Sequence, residues 1–224
     1  ATAPDHDRLA RVFAQAGFFE AALESHDKAM ALRPDAPALM QSRLRTLALQ
    51  YGDDPQTPEY ADACRAWFNK YLSSGADEAI QFDNPVTPDR RLRIGYLGSA
   101  FHARGLAPVF EGILAAHNPN EFEIYIYASG LQQDLTTQNL MRRCARWTDV
   151  TGIDPETTAH ILRNDHIDIA VDLTGHGQDS LLQVLAYAPA PLQLGWLGVK
   201  PASQSAYNAD LLASEVGALP VDHP

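Results

Sequence analysis

Asp172 and His176 stand four residues apart across the turn Thr174-Gly175-His176-Gly177. A carboxylate and an imidazole held that way have the makings of a proton-accepting base and the group that orients it. The same spacing also lets Asp172 accept N–H bonds from the turn, and the sequence leaves both readings open. His102, Arg104 and His117 form a second group near the end of another apolar run. His102 falls where a ligand could reach it, whereas His117, in His117-Asn118-Pro119-Asn120, reads as the last residue of a helix meeting its dipole. None of the 8 histidines has metal-ligand spacing with a cysteine or carboxylate, and there is no nucleophile elbow. Gly95, Gly98 and Gly105 make neither G-x-G-x-x-G nor a P-loop. The chemistry left is proton transfer or hydrogen bonding at strand-end turns, with no metal and no resident cofactor expected.

Strands must hold both groups. Ile167 to Leu173 is an apolar run broken only by Asp168 and Asp172, short and Ile/Val-rich, as suits a strand buried on both faces of a parallel sheet. It stops at Thr174-Gly175-His176-Gly177, where two glycines permit a sharp turn and close backbone approach. A helix is expected next, burying Leu181, Leu182 and Leu185, with Asp179 or Ser180 as its cap. Ala188 to Pro191 ends it, and Leu192 to Leu197 reads as another strand. In open α/β sheets ligands sit beyond the carboxyl ends of such strands. Upstream, the pattern predicts strands at Arg91–Ser99, Phe122–Ser129 and Arg146–Val150, with helices at Leu106–His117, Gln132–Arg146 and Pro155–Asp165. In the second of these strands Phe122, Ile124 and Ile126 share one face, Tyr125 and Tyr127 the other. Asp154 is a natural cap for the last helix. A further strand is expected at Ala209–Ala213. Strands alternating with helices of this length predict an α/β fold built on a doubly wound parallel sheet.

The first part of the chain has a helical period instead. Residues 5–34 read as two helices joined at Gly17, and Ala10, Phe13, Gly17, Ala22, Ala29 and Pro34 follow the spacing of a tetratricopeptide repeat. No second copy follows, although Ala36–Tyr51 and Thr57–Ser73 are also helical in pattern. One repeat cannot bury its apolar face alone, so either earlier repeats or the following helices must cover it. The abrupt start inside a helix favours the former. Ala63, Trp67 and Tyr71 recur every four residues as a packing seam. Prolines 85 and 88 mark a linker. The division expected is a helical segment at 1–80, a linker at 81–90 and an α/β lobe at 91–224. The helices should pack on the lobe and bury Trp67, Phe68 and Phe82.

Composition narrows the function. A formal net charge of -11 argues against a nucleic-acid surface, and the Arg90, Arg91, Arg93 run flanks a strand entry. No apolar run reaches the ~18 residues of a membrane span. The 2 cysteines lack a CxxC partner, and no signal peptide is visible, which together predict a cytoplasmic protein.

The stretches RRLRIGYLGSAF, HNPNEFEIYIYA, and above all VDLTGH followed by APAPLQLGWLG resemble the O-GlcNAc transferase family over roughly Arg90 to Ala213. In that family tetratricopeptide repeats precede a two-lobed glycosyltransferase of the GT-B type. The resemblance implies the amino-terminal lobe, the one that faces the acceptor, and a parent reaction moving a sugar from a nucleotide donor to Ser or Thr of a protein without metal and with inversion. It implies that the donor, UDP-GlcNAc, is held mainly by a carboxyl lobe beyond this chain, so that the chain alone is expected to bind it weakly and to be inactive. The acceptor protein is the implied partner, met by the repeat-like helices and the cleft.

On this resemblance His176, His102 and Asp172 are the candidate catalytic residues, with His176 and Asp172 shaping the cleft floor. Arg104, Ser99, Thr174, Trp196 and Gly198 are candidates for the acceptor side, Trp196 and Gly198 walling the cleft toward the second lobe. His176 is expected to point into a concavity shared with His102, Arg104 and Trp196. The chain also departs from the family pattern. Where S-x-F-x-x-H-P is usual, it has Ser99, Phe101 and Arg104-Gly105, and a guanidinium cannot accept a proton. A second family histidine is matched by Pro108, Gly177 replaces the Thr of a G-H-T turn, and Trp196 to Gln204 loses two glycines of the family run. These departures support a rival reading, a non-catalytic scaffold whose helices bind protein partners beside a degenerate lobe.

Overall fold

The computed structural model describes residues 1–51, 57–71, 81–87, 89–130, 132–177 and 179–196. Four helices come first: α1 (Ala3–Gln15), α2 (Phe19–Leu32), α3 (Pro37–Tyr51) and α4 (Pro58–Tyr71). Alanine lets α1 and α2 approach closely, since Ala10, Ala22 and Ala29 are all fully buried. Gly17 turns the chain between them at φ 83, a left-handed conformation that suits glycine. His26 fills the junction with α3, its Nε2 lying 2.9 Å from Thr46 Oγ1.

The α/β part holds β1 (Leu92–Gly98), α5 (Ala107–Ala116), β2 (Phe122–Ala128), α6 (Leu135–Arg143), β3 (Arg146–Asp149), α7 (Pro155–Asn164), β4 (Ile169–Asp172) and β5 (Leu192–Gly195). The strands form a parallel sheet in the order β3-β2-β1-β4-β5, so chain order reverses between β1 and β4. This is the expected fold class. The segment joining β4 to β5 differs from the α-helix expected there: Leu182–Tyr187 is a 3-10 helix. Leu181, Leu182, Val184, Leu185 and Ala186 are all buried and only Gln183 and Tyr187 stay partly exposed, and the more extended 3-10 rise spans the gap in few residues before Pro189 and Pro191. Its N-cap is Leu181, which makes no side-chain cap bond, in place of the Asp179 or Ser180 expected; Ser180, one residue earlier, accepts from Leu182 N at 3.2 Å. The strand expected at 209–213 lies outside the described residues.

Pleat alternation sorts side chains into two cores. Ile94, Tyr96, Ile124, Ile126 and Val171 meet α5 and α6 on one face. Leu97, Tyr127 and Ala170 meet α7, the 3-10 helix, α3 and α4 on the other. Helices α3 and α4 of the helical segment therefore pack on this face of the sheet. Trp67 is fully buried there, as expected, whereas Phe68 and Phe82 are only half-buried. Asp168, 8 % exposed, fixes the residues before β1. Its carboxylate accepts two bonds from the Arg90 guanidinium at 2.6 Å each and one from Asn84 Nδ2 at 2.7 Å.

Candidate functional site

A cleft of about 640 Å³ opens at the carboxyl edge of the sheet. Its walls come from the turns after four strands: Ser99 and His102 after β1, Ser129 and Gly130 after β2, Thr151 and Gly152 after β3, and Asp179 and Ser180 after β4. That is where an open parallel sheet leaves backbone ends and side chains free for a ligand. Hydroxyls, backbone amides, one imidazole and one carboxylate converge on it. Such a lining suits a polyhydroxylated or peptide ligand held by hydrogen bonds. Among the described residues no group of His, Cys, Asp or Glu could hold a metal ion.

The turn after β1 is built by close approach. A Cβ on Gly98 would lie 2.4 Å from the Phe101 ring, and one on Gly105 would lie 2.3 Å from Ala100 O. His102 N and Leu106 N both donate to Ala100 O, at 2.9 and 2.7 Å. From the side, α6 holds the turn: Asp134 Oδ2 accepts from Ala103 N at 2.8 Å, and Thr137 Oγ1 donates to Phe101 O at 2.5 Å. N–H donors from Ala103 and Thr137 keep the Asp134 carboxyl below its ordinary range. His102 is half-buried in the cleft wall, and Arg104 projects as an exposed side chain of the same turn without lining the cavity. His117 ends α5 as expected, bonded through Nδ1 to Ile113 O at 2.7 Å.

Opposite it, the turn after β4 faces inward. Asp172 lies on the sheet face that meets the helices and is fully buried. Its Oδ1 accepts from Thr174 N at 3.0 Å and from Thr174 Oγ1 at 2.5 Å, and its Oδ2 accepts from Gly175 N at 2.8 Å. These bonds tie down the turn, one of the two readings left open. Thr174, 5 % exposed, accepts in turn from Leu181 N at 3.0 Å.

The expectation that His176 opens into a concavity shared with His102, Arg104 and Trp196 is corrected here. Its ring is fully buried, edge-on to Trp67 with centroids 4.6 Å apart. The ring it meets comes from α4, more than a hundred positions away. Burial, and secondarily the Arg45 charge, push the imidazole pKa down to about 3, so the ring is neutral at physiological pH and out of reach of a cleft ligand. Trp196 is 44 % exposed at the end of β5, its backbone N–H donating to Asp172 O at 2.8 Å, and it does not line the cavity either. Gly198 lies outside the described residues.

The cleft thus brings Ser99 and His102 together and leaves Asp172, Thr174 and His176 beneath it. Sequence reasoning missed Ser129 and Thr151, and took Asp179 and Ser180 only as caps. The available signal for Ser129 and Thr151 was their place just after strands. Asp179 also adopts φ 52, uncommon for a residue with a side chain, and Ser129 Oγ donates to its carbonyl at 2.7 Å.

The model of glycosyl transferase family 41 matches residues 72–223. Rice (Oryza sativa subsp. japonica) "Probable UDP-N-acetylglucosamine–peptide N-acetylglucosaminyltransferase SPINDLY" is 30% identical over 180 residues, covering 79% of this chain and 19% of that protein. The barley (Hordeum vulgare) protein of the same name is 31% identical over 169 residues, covering 74% and 18%. Among solved structures, a K341M mutant of Thermobaculum terrenum O-GlcNAc transferase superposes with a TM-score of 0.79 at 28% identity, over 88% of this chain and 37% of that one. The chain therefore spans about a fifth of the plant relatives' length. It belongs to glycosyl transferase family 41.

Proposed function

We infer that this chain is the helical segment (1–80), linker (81–90) and amino-terminal lobe (91–224) of a protein O-glycosyltransferase that moves N-acetylglucosamine from UDP-GlcNAc to a Ser or Thr hydroxyl. The observation that carries the reading is the polar cleft at the carboxyl edge, in a lobe of the family whose relatives are named for that transfer. In an in-line displacement the acceptor hydroxyl attacks the anomeric carbon as the diphosphate leaves, and its proton must pass to a base. His102 is the imidazole placed to take it, with Ser99 beside it and Arg104 at the entrance facing the acceptor protein. Asp172, Thr174 and His176 support the cleft floor from beneath. Trp196 faces the second lobe, which holds most of the donor, and the repeat-like helices engage the acceptor. Cys64 is buried and Cys144 half-buried, which fits a reducing cytoplasm.

The test is transfer by the full-length protein. Incubation with UDP-GlcNAc labelled in the sugar and a Ser/Thr-rich acceptor should place label on hydroxyl residues, and His102→Ala should reduce it at least tenfold. One observation favours the rival scaffold: Arg104 stands exposed where the family's histidine is expected. Full-length protein that binds acceptor but transfers no label would establish the scaffold instead.

A further inference from the structure

Helix α3 reaches the floor of the cleft from behind. Gln41 and Arg45 lie one turn apart on it and so project from the same face. Gln41, 7 % exposed, donates from Nε2 to Ser180 Oγ at 3.1 Å. That hydroxyl also donates to Gly175 O at 2.5 Å. Arg45 Nη1 donates to two carbonyls of the β4 turn, His176 O at 2.8 Å and Gly177 O at 3.0 Å. Inward-facing turn carbonyls with no ladder to join need such a donor, and here it comes from the helical segment. The bonds run straight on to the cleft, because Ser180 and its neighbour Asp179 line it and Ser129 holds the Asp179 carbonyl.

We propose that Gln41 and Arg45 are positioning residues of the transfer site: the helical segment sets the turn from Thr174 to Gly177 and, through it, the place of Asp179 and Ser180. This rests on the reading of the cleft given above. It makes α3 a structural part of the site, beyond any acceptor the helices bind. Two nearby features lack this property. The Asp7–His26–Thr46 cluster is buried among helices away from the cleft, and the exposed apolar residues Leu9 and Val12 of α1 have nothing that identifies an occupant.

The test uses the full-length protein with Gln41→Ala and, separately, Arg45→Lys, which keeps the charge but loses the rigid guanidinium fork. Amide hydrogen exchange is followed at Gly177, Leu181 and Leu182, whose N–H groups bond to Thr174 O, Thr174 Oγ1 and Ser180 Oγ. Loss of one buried hydrogen bond should speed exchange there about fivefold while amides of β1 and β2 keep their rates. The turnover number for transfer should fall by a similar factor, about fivefold, with the donor KM little changed. Unchanged exchange at these three amides would overturn the proposal, as would a uniform rise across α3, α4 and the sheet. Absence of transfer by the unsubstituted protein would instead refute the functional reading, and the exchange result would still decide the positioning role.

Discussion

Two turns leave the carboxyl edge of this sheet carrying a histidine, and they end in opposite environments. After β1, His102 stands half-buried in the wall of the cleft; after β4, His176 is fully buried against Trp67. Both follow a buried strand and both sit among glycines. The difference lies in what arrives from elsewhere in the chain. The β1 turn is held from its side by Asp134, the cap of α6, and Thr137 within it, which leaves its outer surface open. The β4 turn is roofed by α3 and α4, whose Arg45 and Trp67 take up its carbonyls and its ring. A strand-end histidine is thus a site residue or a core residue according to contacts more than a hundred positions away.

The largest way to break this contrast is to remove the roof. Trp67→Ala should cost about 3–5 kcal/mol, read as the shift of a urea midpoint, because a buried indole leaves a cavity between α4 and the sheet. His176→Ala should cost about 2–3 kcal/mol for the same reason on a smaller scale. A loss below about 0.5 kcal/mol would return His176 to the surface class.

Titration sharpens the contrast. The native His176 pKa is pushed from 6.5 down to about 3, so below pH 6.5 the unfolded chain takes up a proton the folded one refuses. Its contribution is therefore complete above pH 6.5 and is lost as pH falls toward 3. Between pH 6.5 and 5 the unsubstituted protein should lose about 2 kcal/mol more than His176→Asn. Equal losses would mean that the ring titrates freely. Smallest in stability is His102→Ala, expected within about 0.5 kcal/mol of the parent while transfer falls.

Much of the frame was legible in the residues. Short Ile/Val runs separated by helical stretches gave a parallel sheet, and the alternation of Ile124 and Ile126 with Tyr125 and Tyr127 gave its two faces. Ala10, Ala22 and Ala29 gave the close pair of helices. The carboxyl edge was the right place to look, since local sequence records strand ends. What local sequence could not record is which strand end a distant helix covers. Gln41 and Arg45 carry no motif, and Trp67 reads as a packing residue without naming what it packs on. The six buried or half-buried residues Leu182–Tyr187 were misread as α-helix because their apolar spacing fits either helix type over so short a run.

Selective acylation of histidines tests the contrast most directly. The full-length native protein is treated with diethyl pyrocarbonate at neutral pH, where the neutral imidazole nitrogen is the nucleophile, and modified peptides are mapped over time. His102, open to the cleft, should be modified early, while His176, fully buried beneath α3 and α4, should stay protected until the protein unfolds. Modification of His176 at the rate of His102 in folded protein would contradict the account.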